Sequence, residues 1–144
     1  MYIFIAAAAG AGLALQAVIN ARLRTALDSA VWASLTQVFV GLLLLAAVAV
    51  VLRQSPPFTA SMLRLPWWIW TGGLLGAIYV FAVIVSTAPL GAAATIAAVI
   101  VGQTTMALVI DHYGWLGVDV QRLSMSRVAG AVLMFLGLLL IRGR

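Results

Sequence analysis

Apolar residues run in long blocks along this chain, and the polar positions cluster between the blocks instead of alternating within them. A helix needs about 20 apolar residues to cross the hydrocarbon core of a bilayer, so each block predicts a membrane span. The first covers about residues 2–21. The second starts at Asp28 or Ser29, both suited to capping a helix N-terminus, and reaches Leu52. "RQSPPFTASMLRLP", residues 53–66, is a polar, proline-bearing loop. Residues 65–110 then carry no charge at all, and those 46 residues would make one helix about 70 Å long, far more than a bilayer spans. "TAPLG" breaks the run. Pro89 disfavours helical backbone at Ala88 and Gly91 permits a tight turn, which predicts two helices, about 67–87 and 91–110, joined as a hairpin. After the interfacial stretch "DHYGWLGVDVQRLSMSR", a last helix begins at Ser124 or Ser126 and spans 124–141. Its strictly apolar part, 128–141, is short, so Arg127 and Arg142 must reach outward from the membrane edge. The predicted fold class is an all-α integral membrane protein: residues 1–144 form a single domain of five transmembrane helices, spanning about 2–21, 29–52, 67–87, 91–110 and 124–141.

Composition agrees with a bilayer as the solvent. Hydrophobic residues make up 65% of the chain and charged residues 8%, against roughly 25% charged in a soluble domain. The eight basic residues are all arginine and the three acids all aspartate. The arginines sit singly or in pairs beside apolar runs, a pattern of membrane-edge anchors and not of a nucleic-acid patch. With no cysteine, disulfides, thiolate metal sites and thiol catalysis are excluded, and His112 is the only histidine, so neither a metal nor another cofactor is expected. Nor does any nucleophile, base and orienting residue come together, so the chain is not expected to be an enzyme. The first 20 residues lack the basic n-region of a cleaved signal, because the first arginine, Arg22, follows the apolar run.

Five spans put the termini on opposite sides. Calling the N-terminal side B, side A holds Arg22, Arg24, Arg142 and Arg144, and side B holds Arg53, Arg64, Arg122 and Arg127. Orientation is normally set by an excess of basic residues in cytoplasmic loops, and here the two sides tie. The tie predicts dual topology: identical chains insert both ways and pair as an antiparallel homodimer about an axis in the membrane plane. Trp67, Trp68, Trp70 and Trp115 fall near side B and only Trp32 near side A. An antiparallel pair would restore aromatic belts at both interfaces.

Within this frame, "LQAVINARL" on the first helix, "PWWIWTGGLLGAIYVF" opening the third, "APLGAA" at the hairpin, and "VGQ" followed by "LVIDHYG" on the fourth resemble the small five-span YdcZ-like proteins. These form a family within the drug/metabolite transporter superfamily. The resemblance covers almost the whole chain in order and spacing. It implies a multi-pass protein of the bacterial inner (cytoplasmic) membrane and membership of a transporter superfamily, whose small members occur as single chains, as oppositely oriented pairs and as fused forms.

The candidate site residues are the polar groups inside the spans. Gln16, Gln37, Tyr79 and Gln103, with Asn20 nearer the side A interface, are the candidates for binding a small molecule in a cavity between protomers. The competing role is to join helices by amide bonds, worth about 0.6 kcal/mol each in membranes. Gly12, Gly72, Gly76, Gly102, Gly130 and Gly137 are candidates for close helix packing. Asp111 and His112 are a candidate proton relay at the side B mouth, with a solvated helix terminus as the plainer reading. No carboxylate lies within a span, although proton-driven antiporters commonly keep one there. Neutral amides suit a neutral or zwitterionic small solute. The expected function is therefore a small-molecule transporter that assembles with itself among membrane lipids. The alternative is a passive dual-topology channel whose arginine and amide lining would favour an anion.

Overall fold

A computed structural model describes residues 1–55 and 62–143; Pro56, Pro57 and Arg144 lie outside the described residues. The chain is all-helical among those residues, with helices α1 (Tyr2–Leu27), α2 (Ala30–Val51), α3 (Thr71–Leu90), α4 (Ala92–Tyr113) and α5 (Met125–Arg142). All five are long and apolar enough to cross a membrane, the third span counting from Trp67 through a short 3-10 turn. Two compact units divide the chain: residues 1–14 with 86–144, and residues 15–85. The first unit contains α4 packed along α5, and the second contains the C-terminal part of α1, α2 and most of α3.

The helix ends follow from local chemistry. Ser29 caps α2, its hydroxyl accepting from the Trp32 N–H at 3.3 Å, and Ser124 caps α5 by accepting from the Arg127 N–H at 3.3 Å. In both cases the sequence offered two candidates. Asp28 is excluded as the α2 cap because it is the left-handed residue (φ 49) that ends α1. The Ser29 N–H closes back on the Arg24 carbonyl at 3.2 Å, the six-to-one bond of a Schellman motif. Arg53 (φ 50) ends α2 in the same way, with the Gln54 N–H on the Ala49 carbonyl.

Three helix ends differ from expectation, and one is α4, which runs past 110 to Tyr113 and takes Asp111 and His112 into its last turn. The first helix continues past 21 to Leu27, because Arg22, Leu23, Arg24 and the alanines are good helix formers and no breaker intervenes before Asp28. Asn20 therefore lies about 10 Å inside the end of α1, not at its edge. Helix α3 runs through Pro89 to Leu90. Proline in the last turn removes only one hydrogen bond, that to the Val85 carbonyl four residues back. The break itself falls at Gly91 (φ 78), whose N–H bonds the Thr87 carbonyl at 2.9 Å. A Cβ is disfavoured in that left-handed backbone, so glycine is the residue that lets the hairpin turn.

Candidate functional site

In the unit formed by residues 15–85, α1 presents Ala17, Asn20 and Arg24 along one face, at helical spacing. Asn20 is 6% exposed, and its Nδ2 donates to Oε1 of Gln37 on α2 at 2.6 Å. A polar side chain in an apolar span costs several kcal/mol unless it is bonded, and this pair answers that need for both residues at once. The pair does not exhaust its chemistry. Oδ1 of Asn20 and Nε2 of Gln37 take no further partner among the described residues, and no side-chain polar atom there is both buried and unbonded. Both atoms therefore keep some accessible surface, which at the buried Asn20 is small.

One turn along α1, the half-buried Arg24 sends Nη1 to the Val85 carbonyl on α3 at 3.4 Å. That is the carbonyl Pro89 deprives of its helical donor. The guanidinium thus meets α3 about 8 Å short of that helix's end, where an edge anchor would turn outward. Sequence reasoning assigned Arg24 to the membrane edge. The available signal was Pro89 itself, since counting back four residues names the carbonyl that needs a donor.

Gln16 is half-buried one turn before Asn20, and Tyr79 is half-buried on α3; neither side chain makes a hydrogen bond among the described residues. The structure joins Asn20 and Gln37 directly. It leaves Gln16 and Tyr79 in the same unit without bonding them to that pair. An apolar groove of about 210 Å³ lies between α2 and α3, lined by Val31, Ser34, Leu35, Val38, Ala77 and Phe81. Ser34 adds no polarity to it, because its hydroxyl donates to the Ala30 carbonyl at 2.8 Å. Thr36 and Thr105 are likewise satisfied four residues back on their own helices.

Gln103 belongs to the other unit, at the centre of α4, and its side chain is exposed beside Gly102. At the side B end of the same helix, Asp111 and His112 have separate partners. The Asp111 Oδ2 accepts from Nη2 of Arg127 at 3.1 Å, and Nδ1 of His112 accepts from the Leu123 N–H at 3.3 Å. Arg127 also donates to Oε1 of Gln121 at 2.6 Å and to the Gln121 carbonyl at 3.3 Å. These bonds fold the α4–α5 connection back over the end of α4, where the Gln121 N–H meets the Asp111 carbonyl at 2.8 Å. The two residues are not bonded to each other, so the cluster reads as a closed helix end.

At Gly12, Gly72, Gly76, Gly102, Gly130 and Gly137, an added methyl group would meet nothing within 4 Å. Among the described residues, none of these six glycines is a point of close approach.

Comparison with known proteins agrees with this architecture. Residues 1–140 match the family described as "Putative inner membrane exporter, YdcZ". The chain is 30% identical over 137 residues to "Inner membrane protein YdcZ" of Escherichia coli (strain K12), a match covering 95% of this chain and 91% of that protein. No solved structure matches. With five helices able to cross a bilayer and a family match over nearly its full length, the chain is a multi-pass inner-membrane protein and belongs to the YdcZ family.

Proposed function

We propose that this protein transports a small polar organic solute across the inner membrane, outward if the family's description as an exporter extends to it. The observation that carries the reading is the Asn20–Gln37 pair. Two amides bonded inside the spans, each with a donor or acceptor not spent on the other, are equipped to recognise a solute as well as to join helices. Gln16 and Tyr79, in the same unit and uncommitted, extend the polar surface.

The working form in this proposal is an antiparallel homodimer. Gln103 supports it: an amide exposed at the centre of an apolar span would cost a few kcal/mol against lipid, and a second copy supplies a polar partner. The open glycines on α3, α4 and α5 support it too, since small residues let helices of two chains approach closely. The equal arginine count on the two sides gives both insertions the same standing.

The test is solute counterflow in proteoliposomes. Vesicles loaded with unlabelled solute should accumulate labelled solute transiently, as a carrier does and an open pore does not. Gln37→Leu should abolish that accumulation. Full activity in Gln37→Leu would remove the amide pair from the site.

A further inference from the structure

We propose that the solute site in residues 15–85 is built for a small organic monocarboxylate, with Arg24 as the group that binds its carboxylate; this rests on the amide pair being the transport site. Four observations converge. Among the described residues Arg24 makes no ion pair, whereas Arg127 is paired with Asp111. Its protein acceptor is a neutral carbonyl at 3.4 Å, beyond the ordinary range for an N–H···O bond, so most of the donor capacity of a five-donor guanidinium is unspent. Its guanidinium contacts the α3 backbone five residues before that helix ends, although an arginine at a helix end gains more by turning to water. The fourth is that residues 15–85 hold four arginines and a single acid, Asp28, which lies in the α1–α2 turn.

A carboxylate is the acceptor that a guanidinium fork fits best, by two parallel and charge-assisted bonds. One displacing the Val85 carbonyl would exchange a long neutral contact for such a pair. Nε2 of Gln37 would then be available as a neutral donor, and Oδ1 of Asn20 as an acceptor for a hydroxyl. An ammonium group would find only that one acceptor, with a fixed cation a helical turn away. On α2, Gln37 lies one turn after Ser34, which lines the edge of the apolar groove, and is not itself a lining residue. The groove's volume, about 210 Å³, suits an organic body the size of a single aromatic ring.

The full-length protein, reconstituted in phosphatidylcholine nanodiscs, should be titrated with benzoate and with its neutral isostere benzamide, using calorimetry. Benzoate should bind at least tenfold more tightly. Arg24→Gln keeps a neutral donor but loses the charge, and should weaken benzoate at least tenfold and benzamide by a much smaller factor. Pro89→Ala returns an N–H to that carbonyl and releases Arg24 from it; benzoate binding should be retained or tightened. This second variant keeps the test decisive if Arg24→Gln does not fold. Equal affinity for benzoate and benzamide, no binding of benzoate, wild-type affinity in Arg24→Gln, or loss of binding in Pro89→Ala would each overturn the assignment. Repeating the titration in phosphatidylglycerol nanodiscs separates a solute from a lipid headgroup, since abolished benzoate binding there would give the site to the lipid and defeat the proposal. Because binding is read without flux, carboxylate binding with no counterflow would defeat the transport reading alone, and counterflow of a neutral solute with no carboxylate binding would defeat this one alone.

Discussion

Two amides and one arginine are the groups proposed to form the site in residues 15–85, and they differ in what their removal should do. Gln37→Leu leaves the buried Asn20 without its acceptor, an unmet group that costs about 1–3 kcal/mol. Asn20→Leu should cost less, because Gln37 is only half-buried and can turn toward open space. Replacing both removes the need together with the bond, so the double variant should be more stable than Gln37→Leu, and thermal denaturation in detergent checks the order. Additive losses would mean the pair is not coupled. The sequence marks Gln16, Asn20 and Gln37 as polar intrusions in apolar runs, and that much is legible from composition alone. Which two meet is not legible, because it depends on how far α1 turns and where it ends. Placing the end near residue 21 put Asn20 at the interface, and the six further residues of α1 bring it inside. Arg24 was harder still: an arginine beside an apolar block matches an edge anchor in every respect except its proximity to a carbonyl exposed by Pro89.

Helix starts are the most readable feature at the scale of elements, since Ser29 and Ser124 cap by side-chain geometry that residue type announces. Helix ends are less so. Two of them close on left-handed Asp28 and Arg53, residues that do not advertise the conformation as glycine does. Pro89 shows the same limit from the other direction: a breaker in the last turn costs one bond, and the helix absorbs it. Between α4 and α5 the sequence supplied Asp111, His112 and Arg127 but not their pairing. The ion pair is about a third exposed on each side (32%), so it contributes at most about 1 kcal/mol. Arg127 does more than pair a charge, because it also holds two oxygens of Gln121. Arg127→Ala should therefore loosen the α4–α5 connection by more than Asp111→Asn does, and faster amide exchange at Gln121 and Leu123 is the measurement. Counterflow should persist in Asp111→Asn if this end of α4 is structural. Its loss would return Asp111 to the candidate relay.

For the molecule as a whole, the decisive quantity is one that no single helix contains: the four arginines that the sequence assigns to each side of the membrane. A balance of this kind is easily tipped, since orientation responds to basic residues close to the span ends. Thr25→Arg with Ala26→Arg should commit the chain to insertion with side A in the cytoplasm, and Gln54→Arg with Ser55→Arg to the opposite. In this cysteine-free chain, a cysteine introduced at Ser29 reports side A. It should react with an impermeant thiol reagent from both sides of the membrane in the parent and from one side only in each biased variant. If the working unit is an antiparallel pair, each biased variant alone should fail to transport, because every copy faces the same way and Gln103 meets no inverted partner. Expressed together, the two should regain counterflow, each supplying the orientation the other lacks. A biased variant that transports alone would show that one orientation suffices. In that case the exposed amide on α4 and the open glycine faces would have to be satisfied by parallel neighbours, while the amide pair and Arg24, both held within one chain, would keep their roles.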